Sequence, residues 1–330
     1  MVKVSIVTTL YRSAPTIEAF YRRMMQAADA IFGDVEMVIV NDGSPDNSLD
    51  IALDLHRQDP RVVVIDLARN FGHYKAMMTG LAQARGELIF LIDSDLEENP
   101  EDIALFYQRF QRGDSDVVYG VQETKHGGRL ARAGRSLFFF LMDALGDRPL
   151  PRNLVTARLM TADYVKALVR HRDREFVISD LWQTTGFRQN QIQIEKLSRS
   201  PSTYSVWKRI DIAVKHLTTS STRLLYLIFY LGLFIFVASI GLIIFYLVRY
   251  ATSGIGVGGY TSQIISIWFL GGLITLILGV LGIYMANILA ETKRRPYSVI
   301  RRIHRSAAPP VREPAGIGAA LHASADRHRD

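Results

Sequence analysis

Residues 4–119 alternate short apolar runs with amphipathic stretches of helical length. Apolar composition and bounding turn residues predict strands at 4–8, 35–40, 62–65, 88–92 and 116–119. The stretches between them predict helices at 16–30, 48–58, 74–84 and 100–111, the last with Asn99 as cap and Pro100 at the first helical position. Strict alternation of strand and helix implies an α/β domain on a mostly parallel sheet with crossover helices. Such sheets bind ligands at the carboxyl ends of their strands.

Two later blocks break this pattern. Residues 224–248 and 264–290 run 25 and 27 residues without a charged side chain, against roughly 20 needed to cross a bilayer as helix. A helix buried inside a protein can be apolar all round, but two such runs in 330 residues point to a transmembrane hairpin. Lys208, Arg209, Lys215 and Arg223 precede the first run, and Lys293, Arg294, Arg295, Arg301, Arg302 and Arg305 follow the second. The connection, 249–263, holds only Arg249, so the positive-inside rule predicts two passes through the inner (cytoplasmic) membrane with both termini cytoplasmic. The expected organisation is a cytoplasmic domain at 1–205, an amphipathic interfacial helix at 206–223, the hairpin at 224–290, and a basic tail at 291–330. The end of that tail is rich in Ala, Pro and charge and is expected to be disordered. The amino terminus enters a strand pattern directly, without a signal peptide's regions.

The net charge of +7 then reads as attraction of juxtamembrane segments to anionic lipid headgroups, and not as nucleic-acid binding, because no aromatic and basic interleaving accompanies it. Absence of cysteine excludes disulfides, thiolate metal sites and cysteine nucleophiles. No strand is followed by a Walker lysine loop or a Gly-x-Gly-x-x-Gly turn. Gly271, Thr275 and Gly279 recur every four residues in the second apolar run, which suits close helix packing within the hairpin or between copies.

The chemistry concentrates at the predicted strand ends. Asp93 and Asp95 follow the apolar run 88–92, and alternate residues of a regular strand face opposite ways, so both reach one cation only if the chain turns near Ser94. Hard oxygen ligands of this kind suit Mg²⁺ or Mn²⁺ carrying a diphosphate; the plain alternative is a helix cap and a solvated loop. Asn41-Asp-Gly-Ser-Pro-Asp46 ends the second strand, where Asp42 suits a nucleobase or ribose, or Ser44 or Asp46 simply caps the next helix. Ala68-Arg-Asn-Phe-Gly-His73 emerges at the same edge. The segment 120–135 is glycine-rich and basic, with Lys125, Arg129 and Arg132, and reads as a solvated loop or as one facing a phosphate.

In order along the chain, residues 5–11 (Ser-Ile-Val-Thr-Thr-Leu-Tyr), Asn41-Asp-Gly-Ser44, Arg69-Asn-Phe-Gly72, residues 93–101, Arg158-Leu-Met160 and Arg295-Pro-Tyr297 resemble the inverting glycosyltransferase family 2, and within it the polyprenyl-phosphate glycosyltransferases. The resemblance implies a nucleotide-diphospho-sugar transferase (GT-A type) domain followed by a two-helix hairpin. It implies a nucleotide-sugar donor, more readily a UDP-sugar, contacted by Tyr11, Asp42, Asn70, Asp93 and Ser94. It also implies a divalent metal on Asp93 and Asp95, joined by Glu97 in place of a common glutamine, and a polyprenyl phosphate acceptor such as undecaprenyl phosphate. Arg158 is implied at phosphate, with Lys125, Arg129 and Arg132 as further acceptor-phosphate candidates. Catalysis would rest on Asp93, Asp95 and Arg158, and relatives can be tetrameric. Thr156 stands where relatives carry an aspartate, and Thr9, Arg12 and Ser13 replace the usual Pro, Asn and Glu around Tyr11. Two further readings stand beside this one. A processive polysaccharide synthase would need a Gln-x-x-Arg-Trp segment, which Leu181-Trp-Gln183 does not match. A non-catalytic protein binding a nucleotide sugar or a partner would not need both aspartates.

Overall fold

The computed structural model describes residues 2–122, 154–171, 173, 176–195, 223–253, 259–293 and 295–306. The first four strands are β1 (Val4–Leu10), β2 (Val35–Asn41), β3 (Val62–Leu67) and β4 (Leu88–Leu91). Between them run α1 (Ile17–Asp29), α2 (Ser48–Gln58) and α3 (His73–Gln83), and after β4 a single 3₁₀ turn (Pro100–Asp102) leads into α4 (Ile103–Phe110). β1, β2 and β3 are buried at every position, which is why their sequences carry no polar alternation. β4–β1–β2–β3 pair in parallel, so their carboxyl ends share one edge. Gly80 permits α3 to press onto this sheet, since a Cβ there would meet Val7 and Val40 at 2.7 and 2.8 Å.

The sheet departs from the expected parallel order at both flanks. β5 (Val117–Gln122) does not lie beside β4; β6 (Leu154–Thr161) inserts between them, antiparallel to both. Arg158 and the threonines in its sequence conceal β6 from a hydropathy reading. α5 (Ala162–Arg170) and α6 (Ile178–Thr184) follow, and β7 (Gln189–Ile194) pairs with β5 in parallel. At the opposite flank β8 (Ile300–His304), inside the expected basic tail, pairs antiparallel with β3. The eight strands run in the order β7-β5-β6-β4-β1-β2-β3-β8. Of the seven pairings, four are parallel and three antiparallel. Asn99 does not cap the turn at Pro100 through its side chain; its Oδ1 accepts from Arg23 Nη2 at 3.2 Å instead.

Between β7 and β8 the chain forms two long helices, α7 (Arg223–Ser253) and α8 (Tyr260–Thr292). Both carry exposed large apolar side chains, with Phe234 and Met285 each 70% exposed. Among the described residues one stretch, Phe269–Leu289, is long and apolar enough to cross a membrane, with a mean hydropathy of 2.2; α7 holds a shorter apolar stretch at Leu225–Ile235. The expected interfacial helix up to residue 222, the basic residues Lys125, Arg129 and Arg132, and the end of the chain from 307 lie outside the described residues, while Arg223 opens α7.

Candidate active site

Four loops leave the carboxyl edge of β1 to β4, and hydrogen bonds join them. Arg12, at φ 57°, donates its N–H to Ser44 Oγ at 2.7 Å, which ties the loop after β1 to the loop after β2. Gly43 has φ 59°, and a Cβ there would lie 2.5 Å from Arg69 C and Asn70 N, so the loops after β2 and β3 meet backbone to backbone. Asp42, 2% exposed, accepts the N–H groups of Phe71 at 2.7 Å and Gly72 at 3.0 Å. Burial pushes the Asp42 carboxyl up, and those two N–H groups oppose it. Its carboxylate thus shapes the loop around Asn70. Asp46 takes four hydrogen bonds, from Ala14 N–H, both Ser44 and Ser48 hydroxyls, and Ser48 N–H. Burial raises its pKa, but these donors prevail and hold it down at about 2. Tyr11 projects from the same edge, 49% exposed, with the Arg12 guanidinium 5.7 Å from its ring centroid.

The chain turns after β4 where the two aspartates require it. Ser94, buried, donates to Thr9 O at 2.9 Å; Leu96 adopts φ 60°; Asp95 Oδ1 accepts Glu97 N–H at 2.9 Å. Asp93 lies between two further groups. Thr156 Oγ1 donates to its Oδ2 at 2.7 Å, and His73 Nε2 lies 3.4 Å from its Oδ1. His73, the first residue of α3, also meets Thr9 Oγ1 through Nδ1 at 3.0 Å. Glu98 is 1% exposed and accepts Thr156 N–H and Ala157 N–H, one on each carboxylate oxygen, both at 3.0 Å. This clamp holds the start of β6 against the aspartate turn.

No group of three or more acidic or imidazole side chains that could enclose a metal forms among the described residues, so the expected trio of Asp93, Asp95 and Glu97 is not assembled by the protein alone. The turn at Leu96 uses the Glu97 N–H, not its carboxylate, to hold Asp95. Two aspartates on one turn still fit Mg²⁺ or Mn²⁺, which take one or two carboxylates and complete their shells with water and substrate phosphate oxygens.

Arg158 lies deeper in β6, opposite Leu91. It is 1% exposed, its guanidinium rests on the Trp182 ring, and Nε donates to Thr156 O at 3.2 Å. Burial pushes it down to about 9, opposed by nearby Tyr164, Glu98 and Tyr119. Arg158 and Trp182 line a cavity of about 290 Å³ with Tyr119, Gln183, Phe187 and Gln189. The Trp182 indole N–H inside this region has no hydrogen-bond partner.

Residues 5–169 match the model of glycosyl transferase family 2. A Mycobacterium tuberculosis protein described as a glycosyltransferase is 44% identical over 98% of this chain and 94% of its own length. The chain belongs to glycosyl transferase family 2. It is a glycosyltransferase, and the prophage bactoprenol glucosyl transferase homolog of Escherichia coli is 30% identical to it over 92% of this chain and all of that protein. A mannosyltransferase from Pyrobaculum calidifontis, solved with GDP-Man and Mn²⁺, is similar over 88% of this chain and 86% of its own, with 15% identity and a TM-score of 0.47.

The structure brings Tyr11, Asp42, Asn70, Asp93, Ser94 and Asp95 of this glycosyltransferase to one edge, and sets Arg158 below it in the cavity. His73 and Glu98 were not singled out by the sequence. Glu98 adjoins a glutamate of the same charge, and only the fold distinguishes the buried clamp from its neighbour. His73 follows Gly72 at a helix start, and nothing local reports its contact with Asp93, in the turn 20 residues later.

Proposed function

We propose that this glycosyltransferase moves one sugar from a UDP-sugar to a polyprenyl phosphate such as undecaprenyl phosphate, at the cytoplasmic face of the membrane and with inversion at the anomeric carbon. The observation that carries this reading is the chain path. The polypeptide leaves the catalytic sheet after β7, runs through two long apolar helices and returns to the same sheet as β8. An odd number of bilayer crossings would separate β8 from β3, so their ladder supports an even number and a two-helix hairpin. The basic residues on both flanks and the single arginine in the connection support a cytoplasmic domain. A relative named for bactoprenol, aligned along its full length, supports a lipid acceptor of that class.

In this reading the loops after β2 and β3 bind the nucleoside and the aspartate turn receives the diphosphate. Asp93 and Asp95 would hold a divalent cation there, which would supply charge compensation to the departing nucleoside diphosphate. An acceptor phosphate oxygen attacks the anomeric carbon as the bond to the diphosphate oxygen breaks. A phosphomonoester is largely ionised at neutral pH, its second pKa being about 6. The attack therefore does not need a carboxylate base at position 156, and Thr156 is free to orient Asp93. Lys125, Arg129 and Arg132 are proposed for the acceptor phosphate.

The test is transfer from a panel of nucleotide sugars to undecaprenyl phosphate in nanodiscs with Mg²⁺ or Mn²⁺, scored by mass of the lipid product. A sugar-phosphate lipid that is lost with EDTA and with Asp95→Asn is expected. No product from any donor would overturn the assignment.

A further inference from the structure

The strand that closes the sheet is tied to the loops assigned above to the donor. Arg302 pairs with Asp66 and Ile300 with Leu67, leaving Arg301 as the extra residue of a bulge. Bulges re-aim side chains and are frequent beside active sites. Here Arg301 Nη2 donates to Ala68 O at 2.8 Å, and Nη1 lies 3.5 Å from Asp66 Oδ2. Val299 O accepts the N–H of the same Ala68 at 2.9 Å. Both backbone polar groups of the residue that opens the Arg69–Gly72 loop are therefore satisfied by chain lying beyond α8. Asp66, itself buried, accepts from Asn41 Nδ2 at 2.9 Å, and Asn41 Oδ1 accepts Ser44 N–H at 3.2 Å.

Two connected paths thus run from the returning segment to the site. One passes through Ala68 to the loop whose Phe71 and Gly72 N–H groups Asp42 holds. The other passes through Asp66 and Asn41 to the turn at Gly43. Ser298 Oγ against Thr79 Oγ1 at 2.7 Å, and Arg305 Nη2 on Gln83 O at 2.8 Å, fasten the same segment along α3.

We propose that Arg301 is a positioning residue for the nucleotide-sugar site, acting with the Val299 carbonyl through Ala68. The assignment rests on the donor reading given above. It gives the membrane helices a second role: they deliver the segment that holds the donor loops in register. Arg301 is 62% exposed at its side chain, so the contribution is modest.

The test uses the full chain in nanodiscs. Hydrogen exchange at Phe71 and Gly72 is read by mass spectrometry, and UDP affinity is measured with Mn²⁺ by calorimetry. Arg301→Ala is expected to speed exchange at those two amides and to weaken UDP binding about three- to tenfold. Arg301→Lys, which keeps the charge, is expected to recover part of both effects. Arg302→Ala removes a cation from the same strand but not these contacts, and is expected to leave both readings at the unaltered value. Unchanged exchange and affinity in Arg301→Ala would overturn the proposal, as would an equal effect of Arg302→Ala. If the unaltered chain binds neither UDP nor GDP while Arg301→Ala still speeds exchange, the donor reading falls and Arg301 is reduced to a structural clasp.

Discussion

Thr156 donates its hydroxyl to Asp93 across the β4–β6 boundary, 2.7 Å from Oδ2. Resemblance to the family implies a carboxylate at position 156, yet here a neutral donor faces the aspartate expected to carry a metal. A second carboxylate at this distance would repel Asp93, whereas a hydroxyl orients it and leaves its other oxygen toward His73. Loss of one hydrogen bond to a charged group corresponds to about 1.5 kcal/mol or more, and hence about tenfold in rate. Thr156→Val is expected to lower kcat/KM for sugar transfer by about that factor, with Thr156→Ser close to the unaltered enzyme. Equal rates for Thr156→Val and the unaltered chain would remove Thr156 from the site.

Gly43 is a steric necessity. Its φ of 59° disfavours a side chain, and an added Cβ would overlap the backbone of Arg69 and Asn70 at 2.5 Å, where no flexible group can yield. Gly43→Ala is expected to cost about 2 kcal/mol or more in denaturant unfolding. Nucleotide binding should weaken with it, because the two loops can no longer touch. A stable variant with ordinary nucleotide affinity would show that this close approach is dispensable.

Glu98 satisfies two backbone N–H groups at the start of β6. Removing its carboxylate leaves both donors without that acceptor in a buried setting, at about 1–3 kcal/mol for each group left unsatisfied. Glu98→Ala is expected to destabilise the domain and Glu98→Gln to do so less, since the amide retains one acceptor oxygen. Glu97→Ala serves as the contrast and is expected to keep the unfolding midpoint. Equal midpoints for Glu98→Ala and Glu97→Ala would refute the clamp.

Arg158 gives a dependence on pH. Burial holds its pKa at about 9, below the ordinary arginine value, so above about 9 the unfolded chain binds the extra proton and the folded chain does not. The cost of burying the cation is full below that pH and declines as pH rises through it. Relative to the unaltered chain, the melting temperature of Arg158→Met is therefore expected to fall between about pH 8 and about pH 10. Other titrating groups cancel in the comparison; a difference independent of pH would mean that Arg158 keeps its proton.

The parallel half of the domain was legible because its signals are local. Continuous apolar runs marked β1 to β4, and two aspartates after the fourth run pointed to a candidate site at the shared strand edge. The expected turn at Ser94 is present, completed by Leu96 at positive φ. The flanking strands were not legible. β6 carries a buried arginine that hydropathy reads as surface, and β8 holds Arg301 and Arg302 among only five residues.

The amino-acid sequence by itself determined the alternating α/β core, the two long apolar runs and the acidic turn, since each follows from the composition and spacing of neighbouring residues. The tertiary structure alone decided that β6 enters beside β4 to give Asp93 a threonine partner, that Glu98 and not Glu97 clamps that strand, and that β8 returns to hold Ala68. Those choices join residues separated by 58 positions for Glu98 and Thr156 and by 233 for Arg301 and Ala68. Their pairing depends on which buried polar groups find partners once the sheet has closed, and no local window of sequence contains that information.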